Sequence, residues 1–171
     1  MEGYADRLER LVITTISPDK SVKLVFRQRD GISVEFAPNR LKQHTDKSLA
    51  RQLEAVSRLA IVGLQKSSRR MVDDFLADSD GDNSDRIELS PELKRFAECR
   101  DDITAQGRSS RGRIFVKRHL SHGVAVDVRP GTVSGLAQGQ VSAEFVSALT
   151  NAMKDQQEKV KQLRVRIFGS E

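Results

Sequence analysis

Ile32-Ser33-Val34-Glu35-Phe36-Ala37-Pro38-Asn39 has a counterpart downstream in Val124-Ala125-Val126-Asp127-Val128-Arg129-Pro130-Gly131. Each stretch follows a glycine, Gly31 or Gly123, and each alternates apolar with polar or small residues before a proline. Period-two alternation marks a half-buried strand, and proline ends it because it cannot donate to a ladder. One offset of 92 residues, 32 to 124 and 38 to 130, relates the two stretches. Upstream, Val25-Phe26-Arg27 leads into Asp30-Gly31 much as Phe115-Val116-Lys117 leads into His122-Gly123. Asp-Gly tolerates the positive φ of a tight turn, so the first copy reads as a β-hairpin and the second follows it. A repeat of this kind decides the architecture before any single element does.

Downstream of each hairpin the apolar period lengthens. Leu49, Leu53, Val56, Leu59/Ala60 and Leu64 recur at three- and four-residue steps, which predicts a helix over about 46–76 with Thr45 or Asp46 as its N-cap. Gly63 either weakens the middle of that helix or allows a close crossing. At the same offset Val141, Phe145, Ala148 and Ala152 lie on a helix over about 140–164, so the helices repeat in register with the strands. Residues 12–16, Val-Ile-Thr-Thr-Ile, are β-branched and extended, ending in the turn residues Ser17-Pro18-Asp19-Lys20. Residues 3–12 carry Tyr4, Leu8, Leu11 and Val12 among charges, a short amphipathic helix at best. Ser90-Pro91-Glu92 opens another helix, expected to reach about Ala105 with Leu93, Phe96, Ala97, Arg100 and Ile103 at helical spacing. Residues 107–113, Gly-Arg-Ser-Ser-Arg-Gly-Arg, read as a flexible basic segment without apolar anchors. The tail Val165-Arg166-Ile167-Phe168 reads as a strand or a cover for an apolar face. The organisation is therefore a first repeat over 1–76, an acidic linker over 77–90 and a second repeat over 91–171. At 171 residues in all, each repeat is small for a self-sufficient core, and the halves are expected to bury apolar surface against each other.

Charge is uneven along the chain. Residues 1–76 hold 14 Lys/Arg against 10 Asp/Glu, and residues 107–171 hold 11 against 5, whereas residues 77–90 hold one Arg and five acids. Two basic halves around an acidic segment are the pattern of a polyanion footprint, and equally of a solvated surface. No apolar run approaches the length of a membrane span. The first residues lack the apolar core of a signal peptide, and a lone Cys99 cannot form an internal disulfide, so a reducing, cytoplasmic setting is expected.

Reactive constellations are thin. His119 and His122 flank the second hairpin turn with no carboxylate cluster or second thiol beside them, which is not zinc chemistry. In Asp78-Ser79-Asp80-Gly81-Asp82-Asn83-Ser84-Asp85, a calcium loop counted from Asp78 places Asn83 where glycine is required and Leu89 where the bidentate glutamate belongs. There is no phosphate-binding glycine loop and no nucleophile elbow. Neither an enzyme nor a cofactor is expected. The basic side chains remain: Arg27 and Arg29 before the first hairpin turn, Lys117 and Arg118 before the second, Arg108, Arg111 and Arg113 in the Gly/Ser segment, and Lys154, Lys159, Lys161 and Arg164 on the last helix. Such residues contact phosphate without reading sequence. The scarcity of aromatic residues among them argues against stacking on single-stranded bases.

With these motifs in view, each half resembles the YbaB/EbfC family of small bacterial nucleoid-associated proteins. The resemblance rests on Ile32 to Pro38 with Leu41 and the 46–76 helix, and on Val124 to Pro130 with Val133 and the final helix, about two-thirds of the chain. The helix starting at Pro91 takes the place of the family's N-terminal helix, with a shortened counterpart at 3–12. The resemblance implies an α+β fold of two units, each a short helix, an antiparallel strand hairpin and a long helix, paired as an intramolecular pseudo-dimer. It also implies largely sequence-nonspecific binding of double-stranded DNA in the nucleoid, through the basic residues named above. Some actinobacterial relatives of the fold are associated with specialised secretion, so a protein-interaction module or secretion-associated chaperone is the alternative. Further homo-oligomerisation and a protein partner stay open.

Overall fold

The 92-residue offset extends well beyond the stretch that reveals it. In the computed structural model of the chain, residues 10–78, 90–120 and 123–169 are described. Strands β1 (Val12–Ile16), β2 (Val22–Arg27) and β3 (Gly31–Phe36) form one antiparallel sheet in that order, followed by a 3-10 turn at Leu41–Gln43 and helix α1 (Asp46–Asp78). Helix α2 (Pro91–Asp101) precedes a second antiparallel sheet of β4 (Thr104–Arg108), β5 (Ile114–His119) and β6 (Gly123–Val128). The short α3 (Thr132–Gly135) and the long α4 (Gln138–Phe168) complete an α+β fold. All three strands, and the first residues of both long helices, stand 92 residues apart: 12 and 104, 22 and 114, 31 and 123, 46 and 138. The registers match as well, Val12 opposite Arg27 as Thr104 is opposite His119, and Val22 opposite Phe36 as Ile114 is opposite Val128.

The hairpin expected in each half is thus a three-stranded meander, and two expectations are corrected. The helix expected to reach Ala105 stops at Asp101, and residues 104–108 are a strand rather than a helix end and flexible segment. The first β-turns explain why the repeat survives there. Ser17 N–H donates to Val22 O at 2.8 Å and Ser109 N–H to Ile114 O at 2.9 Å, and each serine Oγ accepts from the same following amide, Val22 or Ile114. The left-handed position falls on Lys20 (φ 61°) in one turn and on Gly112 (φ 64°) in the other. Gly112 costs no strain at that φ, whereas Lys20 does. The expected helix at 3–12 ends in strand from Val12, and its residues 3–9 lie outside the described residues, as do 79–89 of the acidic linker and His122.

The two halves share a single core. One apolar cluster runs from Leu24, Val34 and Phe36 through Leu49, Leu53 and Val56 to Val116, Val126, Val141 and Phe145. Helix α1 packs on β1 and β2 of its own half and on β6 of the other; α4 packs on β4 and β5 and reciprocally on β3. The helix starts cross over too. Thr45 caps α1 by accepting from Ser48 N–H at 3.1 Å. Asp46 is then available to accept from Gly131 N–H and Val133 N–H of the other half, both at 2.8 Å. Gln138, 92 residues on, donates from Nε2 to Phe36 O at 3.1 Å. Gly63 marks a close crossing, because a Cβ there would lie 3.0 Å from Ile13 Cγ2.

The outer edge of β4 is closed by side chains of α4. Asn151 donates to Arg108 O at 2.9 Å, Asp155 accepts from Gln106 N–H at 2.8 Å, and Lys159 donates to Thr104 O at 2.8 Å. The ammonium of Lys159 beside it, with the Gln106 N–H, holds the Asp155 carboxyl below its ordinary value, against a smaller upward push from burial. A carboxyl depressed in the folded state contributes stability that is complete above its unfolded pKa, about 3.9, and is lost as pH falls through the folded value. Asp155→Asn is therefore expected to cost about 1 kcal/mol at neutral pH. The difference from the parent protein should shrink towards zero below the usual carboxylate range, as read by urea unfolding across pH. A difference that persisted in acid would show that the charge of Asp155 is not what stabilises the edge.

Candidate nucleic-acid interface

Strand alternation sorts the basic residues of the second sheet. Ala105 and Gly107 face α4, so Arg108 and Gln106 face outwards; on β5, Phe115 and Lys117 share that outward face. The register places Arg108 opposite Phe115 and Gln106 opposite Lys117, which makes Arg108 and Lys117 diagonal neighbours, roughly 7–8 Å apart at the backbone. The Arg108 guanidinium lies over the Phe115 ring at 5.2 Å and against the Cα side of Gly112. Asp127 is the acid on this face, beyond Phe115. Together these side chains line an open depression on the sheet.

The adjoining turn is anchored rather than flexible. The buried Ser109 accepts from Arg113 N–H at 2.9 Å and donates to Glu144 Oε2 at 2.5 Å, while Glu144 Oε1 accepts from Arg111 N–H at 3.3 Å. Ser110 and Ser147 hydroxyls meet at 2.9 Å. The turn therefore presents an exposed Arg111 and a half-buried Arg113 from a fixed backbone. Glu144 is the residue sequence reasoning missed. It lies beside Phe145 on the buried stripe, and an acid in that place needs partners of this kind.

The remaining expected contacts fall elsewhere. Arg27 is exposed at the end of β2 and Arg29 in the turn after it. Arg118 points inwards, among Leu24, Phe26, Ile32, Ile61 and Leu149, and burial pushes its guanidinium pKa down. Two consecutive basic residues on a strand cannot both face solvent, and Lys117 takes the outward side. Lys159 is half-buried and engaged with Thr104 O and Asp155. Lys154, Lys161 and Arg164 are exposed on a flank of α4, which is packed on the inner side of the sheet. The eleven positions thus divide: Arg108, Arg111, Arg113 and Lys117 form one patch, Lys154, Lys161 and Arg164 a second, Arg27 and Arg29 stand apart on the first sheet and its turn, and Arg118 and Lys159 belong to none of these.

In the first half the same positions carry a different chemistry. Ile16, Asp19, Ser21 and Val25 stand where Arg108, Arg111, Arg113 and Lys117 stand in the second. Asp19 is bound by both Ser17 and Ser21 hydroxyls at 2.7 Å and sits 3.4 Å from His44 Nε2. No group of three or more His, Cys, Asp or Glu side chains among the described residues converges as a metal site. Among the described residues no helix is long and apolar enough to cross a membrane. What fold and surface define is an α+β protein with repeated sheets whose second sheet has a basic outer face. No family model, curated protein or solved structure matches the chain.

Proposed function

We propose that this chain is a non-enzymatic, nucleoid-associated protein that binds duplex DNA with little sequence preference, built as an intramolecular pseudo-dimer of two YbaB/EbfC-like units. The observation that carries the reading is the patch of Arg108, Arg111, Arg113 and Lys117. These residues sit on one sheet face and an adjoining turn, the turn fixed by Ser109 and Glu144. A fixed backbone presenting several cations without base-reading helices suits phosphate contact. The pseudo-dimer rests on the common offset of every strand and on the reciprocal packing of α1 on β6 and α4 on β3.

A mobility-shift titration on unrelated duplexes tests it. All should shift at low salt, and affinity should fall by about three orders of magnitude between about 50 and 200 mM salt if six or more phosphates are neutralised. The absence of any shift at low salt would overturn the reading. A second reading, a protein-interaction module, is favoured by the groove that Leu93 and Phe96 of α2 form with Val160, Val165 and Phe168 of α4. Apolar docking there should hardly respond to salt.

A further inference from the structure

The two sheets end in edges of opposite character. In β4 the outward-pointing backbone groups belong to Thr104, Gln106 and Arg108, and each is met by a side chain of α4. In β1, Ser17 N–H donates to Val22 O and Gln28 N–H to Leu11 O, so the odd-numbered residues bond β2 and the outward groups belong to Val12, Thr14 and Ile16. At the helix positions equivalent to Asn151, Asp155 and Lys159, α1 carries Leu59, Gly63 and Ser67. Leucine and glycine side chains cannot hydrogen-bond a strand edge. Thr15, where β4 has Gly107, stands between strand and helix with its hydroxyl on Val56 O at 3.2 Å. Among the described residues nothing pairs with β1 on this side.

Natural sheets blunt an open edge with charge, proline or a covering element. Among the described residues β1 has none of these along its length: Val12, Thr14 and Ile16 are uncharged, Val12 and Ile16 are 51% exposed, and Leu59 beside them is 47% exposed. The outward positions on either side of Thr14 are also alike, since Val12 and Ile16 are both β-branched and apolar. Antiparallel pairing centred on Thr14 would set Val12 opposite Ile16 of a second copy, Thr14 opposite its own equivalent, and Ile16 opposite Val12. All three pairs use the outward N–H and C=O groups, and β-branched and Thr–Thr cross-strand pairs are favourable ones. Self-complementarity of this kind is what an isologous two-fold contact requires.

We infer that β1 is a homodimerisation edge, joining the first sheets of two copies of this chain into one continuous six-stranded sheet. The Lys23 and Arg27 side chains of the two copies then lie three strand spacings apart, about 14 Å, beyond the screening length at physiological salt. The basic faces of the two second sheets are left free at either end. The inference stands independently of what those faces bind.

Thr14→Cys in a Cys99→Ser background is the direct test. A hydrogen-bonded antiparallel pair places its Cα atoms about 5.5 Å apart, within disulfide reach. Mild oxidation should yield a covalent dimer from Thr14→Cys, and none from Gln106→Cys at the closed edge of the other sheet. By sedimentation equilibrium the parent protein should approach twice 19.1 kDa with rising concentration. Thr14→Lys, which sets two ammonium groups against each other, should return it to the monomer mass with an unchanged circular dichroism spectrum. A monomer at every concentration would overturn the inference, as would a dimer that neither cross-links at position 14 nor responds to Thr14→Lys.

Discussion

Gly107→Val is expected to destabilise the protein by about 4 kcal/mol or more. Gly107 is on the inner side of β4, where α4 crosses at Ala148 and Ala152, both fully buried. A Cβ at residue 107 would fall well inside the contact distance of Ala148 O and of the Ala152 backbone, and these are main-chain atoms that cannot rotate away. The helix must lift. Overpacking alone costs about 1–3 kcal/mol, and lifting α4 also strains the Asn151, Asp155 and Lys159 bonds to the β4 edge, each worth about 1 kcal/mol. Total stabilities are only about 5–15 kcal/mol, so the variant should melt at a much lower urea concentration or fail to fold. Gly139→Ala is the control: nothing lies within 4 Å of a Cβ there, and it should be neutral or slightly stabilising. A cost under about 1 kcal/mol for Gly107→Val would mean that α4 does not approach β4 this closely.

The same glycine shows where the sequence is legible and where it is not. From Gly31 and Gly123 onwards both halves write their strands in the same alternation and their helices in the same apolar stripe, because both bury equivalent faces in one shared core. β1 and β4 occupy equivalent places yet agree at no position, Val-Ile-Thr-Thr-Ile against Thr-Ala-Gln-Gly-Arg. β4 is a poor strand by propensity. It is held by what α4 supplies: close backbone approach at Gly107 and three side chains along its edge. Strand propensity measures fit to surroundings, and here those surroundings lie 43 to 55 residues away in the chain. Arg118 has a simpler explanation. Once Ile114 and Val116 are placed inwards, alternation alone turns Arg118 inwards with them, and a tally of charges cannot show it. The fixed turn at Ser109 was hidden for the reason β4 was, since its partner Glu144 stands 35 residues downstream.

Removing the sheet-face charges together, Arg108→Ala, Arg111→Ala, Arg113→Ala and Lys117→Ala, is expected to weaken duplex binding by about 100- to 1,000-fold at moderate salt. Each phosphate contact contributes about 0.9 to the slope of log affinity against log salt, so the slope should flatten by about 3 to 4. The fold should survive, because the turn is held through the Arg111 and Arg113 backbone amides, Ser109 and Glu144, none of which the substitutions remove. The Arg108 side chain does lose its place over Phe115, a cation–π contact of about 0.5–1 kcal/mol at an exposed site, which the shared core can absorb. Lys154→Ala, Lys161→Ala and Arg164→Ala remove three charges from the flank of α4 and serve as the comparison. If the sheet face is the principal contact, this triple variant loses less affinity and keeps a steeper salt slope than the quadruple one. If the order is reversed, α4 rather than the sheet grips the duplex. Equal, small effects in both would indicate that neither patch does, because a phosphate-driven complex cannot lose four contacts and keep its salt dependence.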